Sequence, residues 1–368
     1  MTENIRLPHA EILSKISKPL LNYYSEQRRI LPWRENPNSY YVWISEIMLQ
    51  QTRVAAVLPY FERFLKSLPN MQALAECDED TLMKLWQGLG YYNRARNLQK
   101  TAKILVAEHD GKLPEDFDAL LALPGIGRYT AAAISSIAYG HCHPAVDGNV
   151  LRVITRLLSC PWDILKDKTK RIIENELQKV YPKSSAGDMN QALMELGATI
   201  CLPNGVPLCE KCPLRSLCLA CKEQRTQEFP QKQTKKKRRI EKLTILLIEH
   251  GENIAIKKRS PKGLLAGLWE LPHLSGHHSL MDVNHWLLNN HLQADSISRL
   301  PSAKHIFSHV EWDMIGWKIH LKDFHIAKSR PPYGSTSSEN VLHFASRDAL
   351  AEKYSIPSAF QYFFPAES

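Results

Sequence analysis

From Ile12 to Leu196, apolar residues recur at helical spacing in one segment after another, and beyond Leu243 the spacing changes to the alternation of strands. Ile12, Ile16, Leu20 and the Tyr23-Tyr24 pair predict a helix from His9 to Ile30, which Pro32 ends. Trp43, Ile47, Val54 and Leu58 share one face of a predicted long helix over 40–65. On that helix Glu46, Gln50 and Arg53 stand at i, i+4 and i+7, a polar stripe on an otherwise apolar surface. Facing solvent, the stripe is ordinary. Facing a cleft, it would desolvate Glu46 and keep its carboxyl protonated near neutral pH, and the pattern leaves both readings open.

A short helix over 78–87 stops at Gly88-Leu89-Gly90, and Tyr91 to Arg96 begins another. Its two tyrosines and two arginines suit insertion into a base stack with cations at the phosphates, or equally a tyrosine pair buried at a helix junction. Pro124, Gly125 and Gly127 then break a helix ending near Leu123, and the small apolar run from Ala131 to Ala138 predicts a new one. The result is a helix-hairpin-helix over about 119–139, an ordinary turn or a device that brings a phosphate against bare glycines and unpaired helix N–H groups. Pro144 bars helix in the stretch after it. Asp147 stands where an N-cap would, ahead of a helix through Val150, Ile154 and Leu157, so capping and chemistry are both open to it.

Helices over 169–181 and 185–198 close the helical region, and the texture then changes to CLPNGVPLCEKCPLRSLCLAC. Cys201, Cys209, Cys212 and Cys218 give C-x7-C-x2-C-x5-C, while Cys209, Cys212, Cys218 and Cys221 give C-x2-C-x5-C-x2-C. Clustered thiols point to metal, a 4Fe-4S cluster or a zinc ion, rather than to disulfides. Residues 222–242, with the cationic run Lys235 to Arg239, lack apolar periodicity and read as a basic linker. Strands follow at Leu243 to Glu249 and Ile254 to Lys257 around a Gly251-Glu252-Asn253 turn, then at His305 to Trp312 and Ile315 to Leu321, with a helix at Trp286 to Leu292. The predicted organisation is a helical domain over 1–221, the linker, and an α+β domain over 243–368.

The chain's 368 residues are enough for two separate cores. Its 47 basic and 38 acidic side chains leave a net charge of +9, which suits a polyanionic partner. With no stretch of eighteen apolar residues and no signal-like N-terminus, a soluble intracellular protein without a membrane partner is expected.

Several motifs are shared in order with one family: LPWR at 31–34, VWISEIMLQQT at 42–52, GLGYYNRARNL at 88–98, LPGIGRYTA at 123–131, VDGNVLR at 146–152, and the cysteine loop. By these the chain resembles the MutY-type adenine DNA glycosylases of the helix-hairpin-helix base-excision superfamily. The resemblance implies a multidomain architecture: an all-α helix-hairpin-helix glycosylase fold with an iron-sulfur loop at 201–218, plus a C-terminal α+β Nudix-like domain. It implies that Glu46 protonates the adenine ring and that Asp147 stabilises an oxocarbenium-like sugar, with Tyr129 and Asn149 in support. Arg29, Trp33, Gln51 and Gln191 match the pocket for the flipped adenine, Tyr91 the residue that intercalates beside the opposite base, and Gly125 and Gly127 the DNA-gripping hairpin. Cys201, Cys209, Cys212 and Cys218 match the 4Fe-4S ligands, although the first gap is one residue longer than the family's C-x6-C. Phe307-Ser308-His309 matches the 8-oxoguanine-reading loop.

Lyase-competent relatives carry a lysine where this chain has Tyr129, so base removal without strand cleavage is expected. The acidic helix of a working Nudix hydrolase is replaced by HLSGHHSLMDVNHWLLNN, with Asp282 as its one carboxylate, so pyrophosphatase activity is not expected. The implied partner is double-stranded DNA holding A:8-oxoG or A:G mispairs, bound by a monomer in the cytoplasm, at the nucleoid in a bacterial cell. Two rivals stay open at this point: a bifunctional, endonuclease III-like lyase for oxidised pyrimidines, and a non-catalytic iron-sulfur DNA-binding protein.

Overall fold

In a computed structural model of the chain, which describes residues 7–233, 237–322 and 341–364, the helical periodicity resolves into short capped segments. A 3-10 turn over Ala10–Lys15 leads into α1 (Ser17–Gln27). Pro32 does not end a helix but opens one, α2 (Pro32–Glu35), at a first-turn position where its missing N–H costs nothing. The predicted helix over 40–65 is two helices, α3 (Ser39–Leu49) and α4 (Val54–Ser67). Between them the chain turns through Gln51 at φ 58, and Arg53 caps α4 instead of sharing a stripe with Glu46. The reason lies in burial: every residue of α3 from Val42 to Met48 is buried, so it is a core helix with no solvent stripe to display.

After α5 (Met71–Glu76) come α6 (Glu79–Trp86) and α7 (Asn93–Glu108), separated by the glycine turn at 88–90. The predicted hairpin is present as α8 (Phe117–Ala122), a turn through Gly125 at φ 75, and α9 (Arg128–Ile137). Then follow α10 (Gly148–Leu157), α11 (Asp167–Val180), α12 (Ala186–Thr199) and the single turn α13 (Leu219–Lys222). Leu20, Ile154, Leu177 and Leu193, one each from α1, α10, α11 and α12, meet in a common core. The chain divides into two compact units, Met1–Glu76 with Arg96–Thr234, and Cys77–Ala95 with Lys235–Ser368. The segment carrying α6 therefore belongs to the second unit, although the periodicity places it in a continuous helical domain.

The second unit is built on β1 (Arg239–His250), which starts inside the stretch expected to be linker; of the cationic run, residues 235 and 236 lie outside the described residues. It is followed by β2 (Asn253–Lys258), β3 (Trp269–Glu270), β4 (His273–Ser275), α14 (Leu280–Asn289), β5 (Ala294–Ile306), β6 (Val310–Leu321), β7 (His343–Ser346) and α15 (Arg347–Glu352). The mixed sheet runs β3-β2-β1-β6-β5, with β1 parallel to β6 and its other pairings antiparallel. Leu243, Ile245 and Leu247 enter one core and Leu246 and Ile248 another, so β1 is covered on both faces and reads as a continuous apolar run. The predicted strand over 305–312 is not continuous but is split between the end of β5 and the start of β6. Phe307, Ser308 and His309 form the turn between β5 and β6, closed by Phe307 N–H donating to the Val310 carbonyl at 2.8 Å.

Candidate active site

α3 presents Glu46 to the interior, and the first turn of α9 brings Tyr129 against it. The Tyr129 hydroxyl donates to Glu46 Oε2 at 2.5 Å. Burial pushes the Glu46 carboxyl up to about 7, opposed by the Tyr129 donor, reinforced by the neighbouring Asp147 carboxylate and opposed again by Arg34. Burial and both carboxylates hold the Tyr129 phenol well above its ordinary value, so it remains a neutral donor.

Asp147 does what its place in the sequence predicts and more. It caps α10, with Oδ1 accepting from the Val150 N–H at 2.7 Å, and its Oδ2 accepts from Asn149 Nδ2 at 2.7 Å. Burial raises this carboxyl too, but the donors from Val150 and Asn149 oppose the rise by favouring the anion. Two carboxyls thus stand near each other in different settings: Glu46 with a phenol and apolar walls, Asp147 with a helix N-terminus. Asn149 is itself fixed, because Arg152 Nη2 donates to its Oδ1 at 2.8 Å and to the Gly197 carbonyl at 2.7 Å, while Arg152 Nε reaches the Cys201 carbonyl at 2.8 Å. A Cβ on Gly197 would lie 2.6 Å from the Asn149 Cβ, so α10 and α12 can close only over a bare glycine.

The remaining expected site residues fall in several places. Arg29 makes a bidentate pair with Glu195 on α12, Nε at 2.6 Å and Nη2 at 2.8 Å, and Arg34 Nη2 joins the same carboxylate at 2.8 Å. Burial works to raise the Glu195 carboxyl, but the two guanidiniums overcome it and hold it below the ordinary glutamate value. Gln191 lies half-buried one turn before Glu195, and Gln51 is exposed in the turn after α3. Trp33 packs in the core, edge-on to Phe61 with ring centroids 5.1 Å apart. Tyr91 is 49% exposed at the end of the 88–90 turn. The two hairpin glycines differ: a Cβ on Gly125 would strike the Asn97 Cβ at 2.6 Å, whereas one on Gly127, the cap of α9, would meet nothing within 4 Å. Gly125 is demanded by packing and its φ of 75, while Gly127 leaves the end of α9 bare to the outside.

Residues 44–183 match the family model of HhH-GPD superfamily base excision DNA repair proteins, and residues 244–365 match that of the NUDIX domain. The chain is 36% identical over 294 residues to the adenine DNA glycosylase of Buchnera aphidicola subsp. Acyrthosiphon pisum, covering 80% of this chain and 83% of that protein. It is 32% identical over 398 residues to the adenine DNA glycosylase of Homo sapiens, covering 91% and 72% of the two. The chain belongs to the adenine DNA glycosylases. Two solved structures share the helical fold: a thermostable thymine-DNA glycosylase (TM-score 0.51, 26% identity, covering 58% of this chain and 98% of that one) and endonuclease III in a non-covalent DNA complex (TM-score 0.50, 28% identity, covering 58% and 97%).

The protein is a DNA glycosylase of MutY-type base excision repair, and enzymes of the endonuclease III/MutY group generally carry a 4Fe-4S cluster. Cys201, Cys209, Cys212, Cys218 and Cys221 line one cavity together with Leu196 and Leu214. Among the described residues no three metal-ligating side chains converge on a single point; the thiols ring a space instead. Burial pushes Cys209 to about 11, Cys212 to about 12 and Cys218 to about 11, so these thiols are protonated at neutral pH, and binding a metal there would release their protons. Arg156 Nη1 already points a donor at Cys201 Sγ from 3.3 Å.

In the glycosylase's second unit, Phe307 packs edge-on to Trp312 with centroids 4.9 Å apart, and Ser308 and His309 stand exposed at the tip of the turn, their Oγ and Nδ1 3.2 Å apart. Asp282, the lone carboxylate of the replaced Nudix helix, is engaged in a capping box with Ser279 at the start of α14. Sequence reasoning missed Glu195, Arg34 and Arg152. A carboxylate on the apolar face of α12 and an arginine next to the buried Trp33 were the available signals.

Proposed function

We propose that this adenine DNA glycosylase releases adenine paired with 8-oxoguanine or guanine by hydrolysing the N-glycosidic bond, and leaves the DNA strand intact. The observation that carries the reading is the unlike pair of carboxyls: Glu46 held near 7 against a neutral phenol, and Asp147 accepting from a helix cap and an amide that favour its anion against the rise burial causes. Protonated Glu46 delivers its proton to a ring nitrogen of the flipped adenine and makes the base a better leaving group. Asp147 faces the positive charge that grows on the sugar as the bond breaks. Tyr129 keeps Glu46 oriented, and Asn149 keeps Asp147 oriented. At the position in the first turn of α9 that touches Glu46 there is a phenol, which cannot form a Schiff base with the opened sugar, and this supports hydrolysis without lyase chemistry.

The exposed Ser308-His309 tip of the hydrogen-bonded turn between β5 and β6 supports the assignment of the opposite-base reader to the second unit. Cys201, Cys209, Cys212 and Cys218 fit a 4Fe-4S cluster, which when bound would tie the loop after α12 into a covalent ring. Cys201 lines the same cavity as the other three despite the longer first gap, which supports its place in the set; Cys221 lines that cavity too.

The test is adenine release from duplexes carrying A:8-oxoG, A:G and A:C. Release should be fastest opposite 8-oxoguanine, and Glu46→Gln should abolish it. A flat profile across the three, or wild-type levels of a borohydride-trapped DNA adduct, would overturn the reading. An absorbance band near 410 nm that is lost with Cys212→Ser checks the cluster.

A further inference from the structure

The glycine turn that carries Tyr91 is built into the second unit. α6 is held along its length by the end of the chain: Lys84 Nζ donates to the carbonyls of Leu350 at 3.3 Å and Tyr354 at 3.1 Å, Gln87 Nε2 donates to Ile356 O at 2.8 Å, and the buried Ser355 hydroxyl donates to Met83 O at 3.0 Å. The Leu350 carbonyl is one of those that α15 leaves without a helical partner, so a lysine from α6 meets the negative end of that helix. At the surface, Lys258 adds an ion pair to Asp80 at 3.0 Å.

From α6 the restraint passes directly to the turn. The ring of Trp86 is fully buried, and its Nε1 donates to Gly90 O at 3.1 Å. Arg94 Nη2 closes the other side, donating to Leu89 O at 2.9 Å and Gly90 O at 3.1 Å, and its guanidinium lies 5.4 Å from the Trp86 ring and 5.6 Å from the Tyr91 ring. Tyr91 itself sits at φ 47, a left-handed conformation that a tyrosine keeps only when its surroundings fix it.

We propose that residues 350–356 set the pose of Tyr91 through α6, with Lys84, Gln87 and Ser355 as positioning residues for the contact Tyr91 makes with DNA. The aromatic that enters the base stack and the turn that reads the opposite base then share one rigid frame, so both meet the duplex in fixed register. The inference rests on the proposed reading of Tyr91 as an inserted residue.

A double-mutant cycle on the full chain tests it. Lys84→Met and Gln87→Ala are each combined with Tyr91→Ser, and affinity is measured by anisotropy for a duplex with a non-cleavable adenine analogue opposite 8-oxoguanine and for an undamaged duplex. Each single positioning variant should weaken the damaged duplex by about three- to tenfold, the worth of one or two hydrogen bonds, and leave the undamaged duplex unchanged. On the Tyr91→Ser background the same substitutions should add nothing. Additive losses, or equal weakening of both duplexes, would overturn the proposal. Ser355→Ala, which removes a single hydroxyl, gives the same reading if the other variants unfold. Should the wild type release no adenine while the cycle is non-additive, the proposed function falls and this inference stands; adenine release with an additive cycle is the reverse case.

Discussion

Replacing Tyr129 with Phe isolates one interaction at the centre of the site. The variant keeps the ring that packs α9 against α3 and deletes only the hydroxyl that donates to Glu46 Oε2 at 2.5 Å. That donor favours the charged carboxylate, so its loss must raise the Glu46 pKa above its present value of about 7. A hydrogen bond to a charged group contributes about 1.5–3 kcal/mol, and one pH unit corresponds to about 1.4 kcal/mol, so the shift should be about one to two pH units upward. For a group that acts protonated, the rate of adenine release falls as pH rises through its pKa. Single-turnover release measured from pH 5 to 9.5 should therefore show an alkaline limb near pH 7 in the wild type, and the limb should move up in Tyr129→Phe. The variant should be slower at its plateau, because an unrestrained acid is less well aimed. An alkaline limb that stays in place, or moves down, would refute Glu46 as the acid whose proton the reaction uses.

The same carboxyl has a stability consequence of opposite sign to most paired acids. Between the ordinary glutamate value of 4.5 and about 7, the folded state holds a proton that the unfolded state has lost, so stability falls as pH rises through that window. Glu46→Gln should be more stable than the wild type at pH 8, by up to about 3 kcal/mol, with the advantage gone at pH 4, as read by urea unfolding at the two pH values. Gly197→Ala places a Cβ 2.6 Å from that of Asn149, and should slow adenine release while lowering stability by about 1–3 kcal/mol; a fully active variant in single-turnover assays would show that Asn149 need not be held in place. Glu195→Gln removes the carboxylate shared by Arg29 and Arg34 and should lower the unfolding free energy by about 3 kcal/mol in denaturant titration, whereas an unchanged midpoint would mean that water already screens both guanidiniums.

Local chemistry was legible where a residue's role is set by its neighbours in the chain. Asp147 is followed by a glycine and an apolar periodic run, so its capping of α10 follows from sequence alone, as does the glycine break between α8 and α9. The sheet order is a different matter, because the parallel pairing of β1 with β6 joins segments some seventy residues apart, and no local signal fixes such a partner. The predicted helix over 40–65 breaks at four polar residues, Gln50 to Arg53, because Ile47 and Val54 on either side keep a helical spacing that masks the turn through Gln51.

Family membership was decided by the sequence, since the motifs from LPWR to the cysteine loop occur in order along it. Which side chains meet was decided by the tertiary structure. Glu46, Tyr129 and Asp147 lie on three helices, and the pKa of Glu46 depends on a desolvation and a hydrogen bond that exist only once α3, α9 and α10 are packed. The assignment of residues 77–95 to the second unit is likewise a tertiary fact. Sequence periodicity reports that a segment is an amphipathic helix, but the partner that covers its apolar face is chosen by three-dimensional packing, which leaves no periodic mark in the chain.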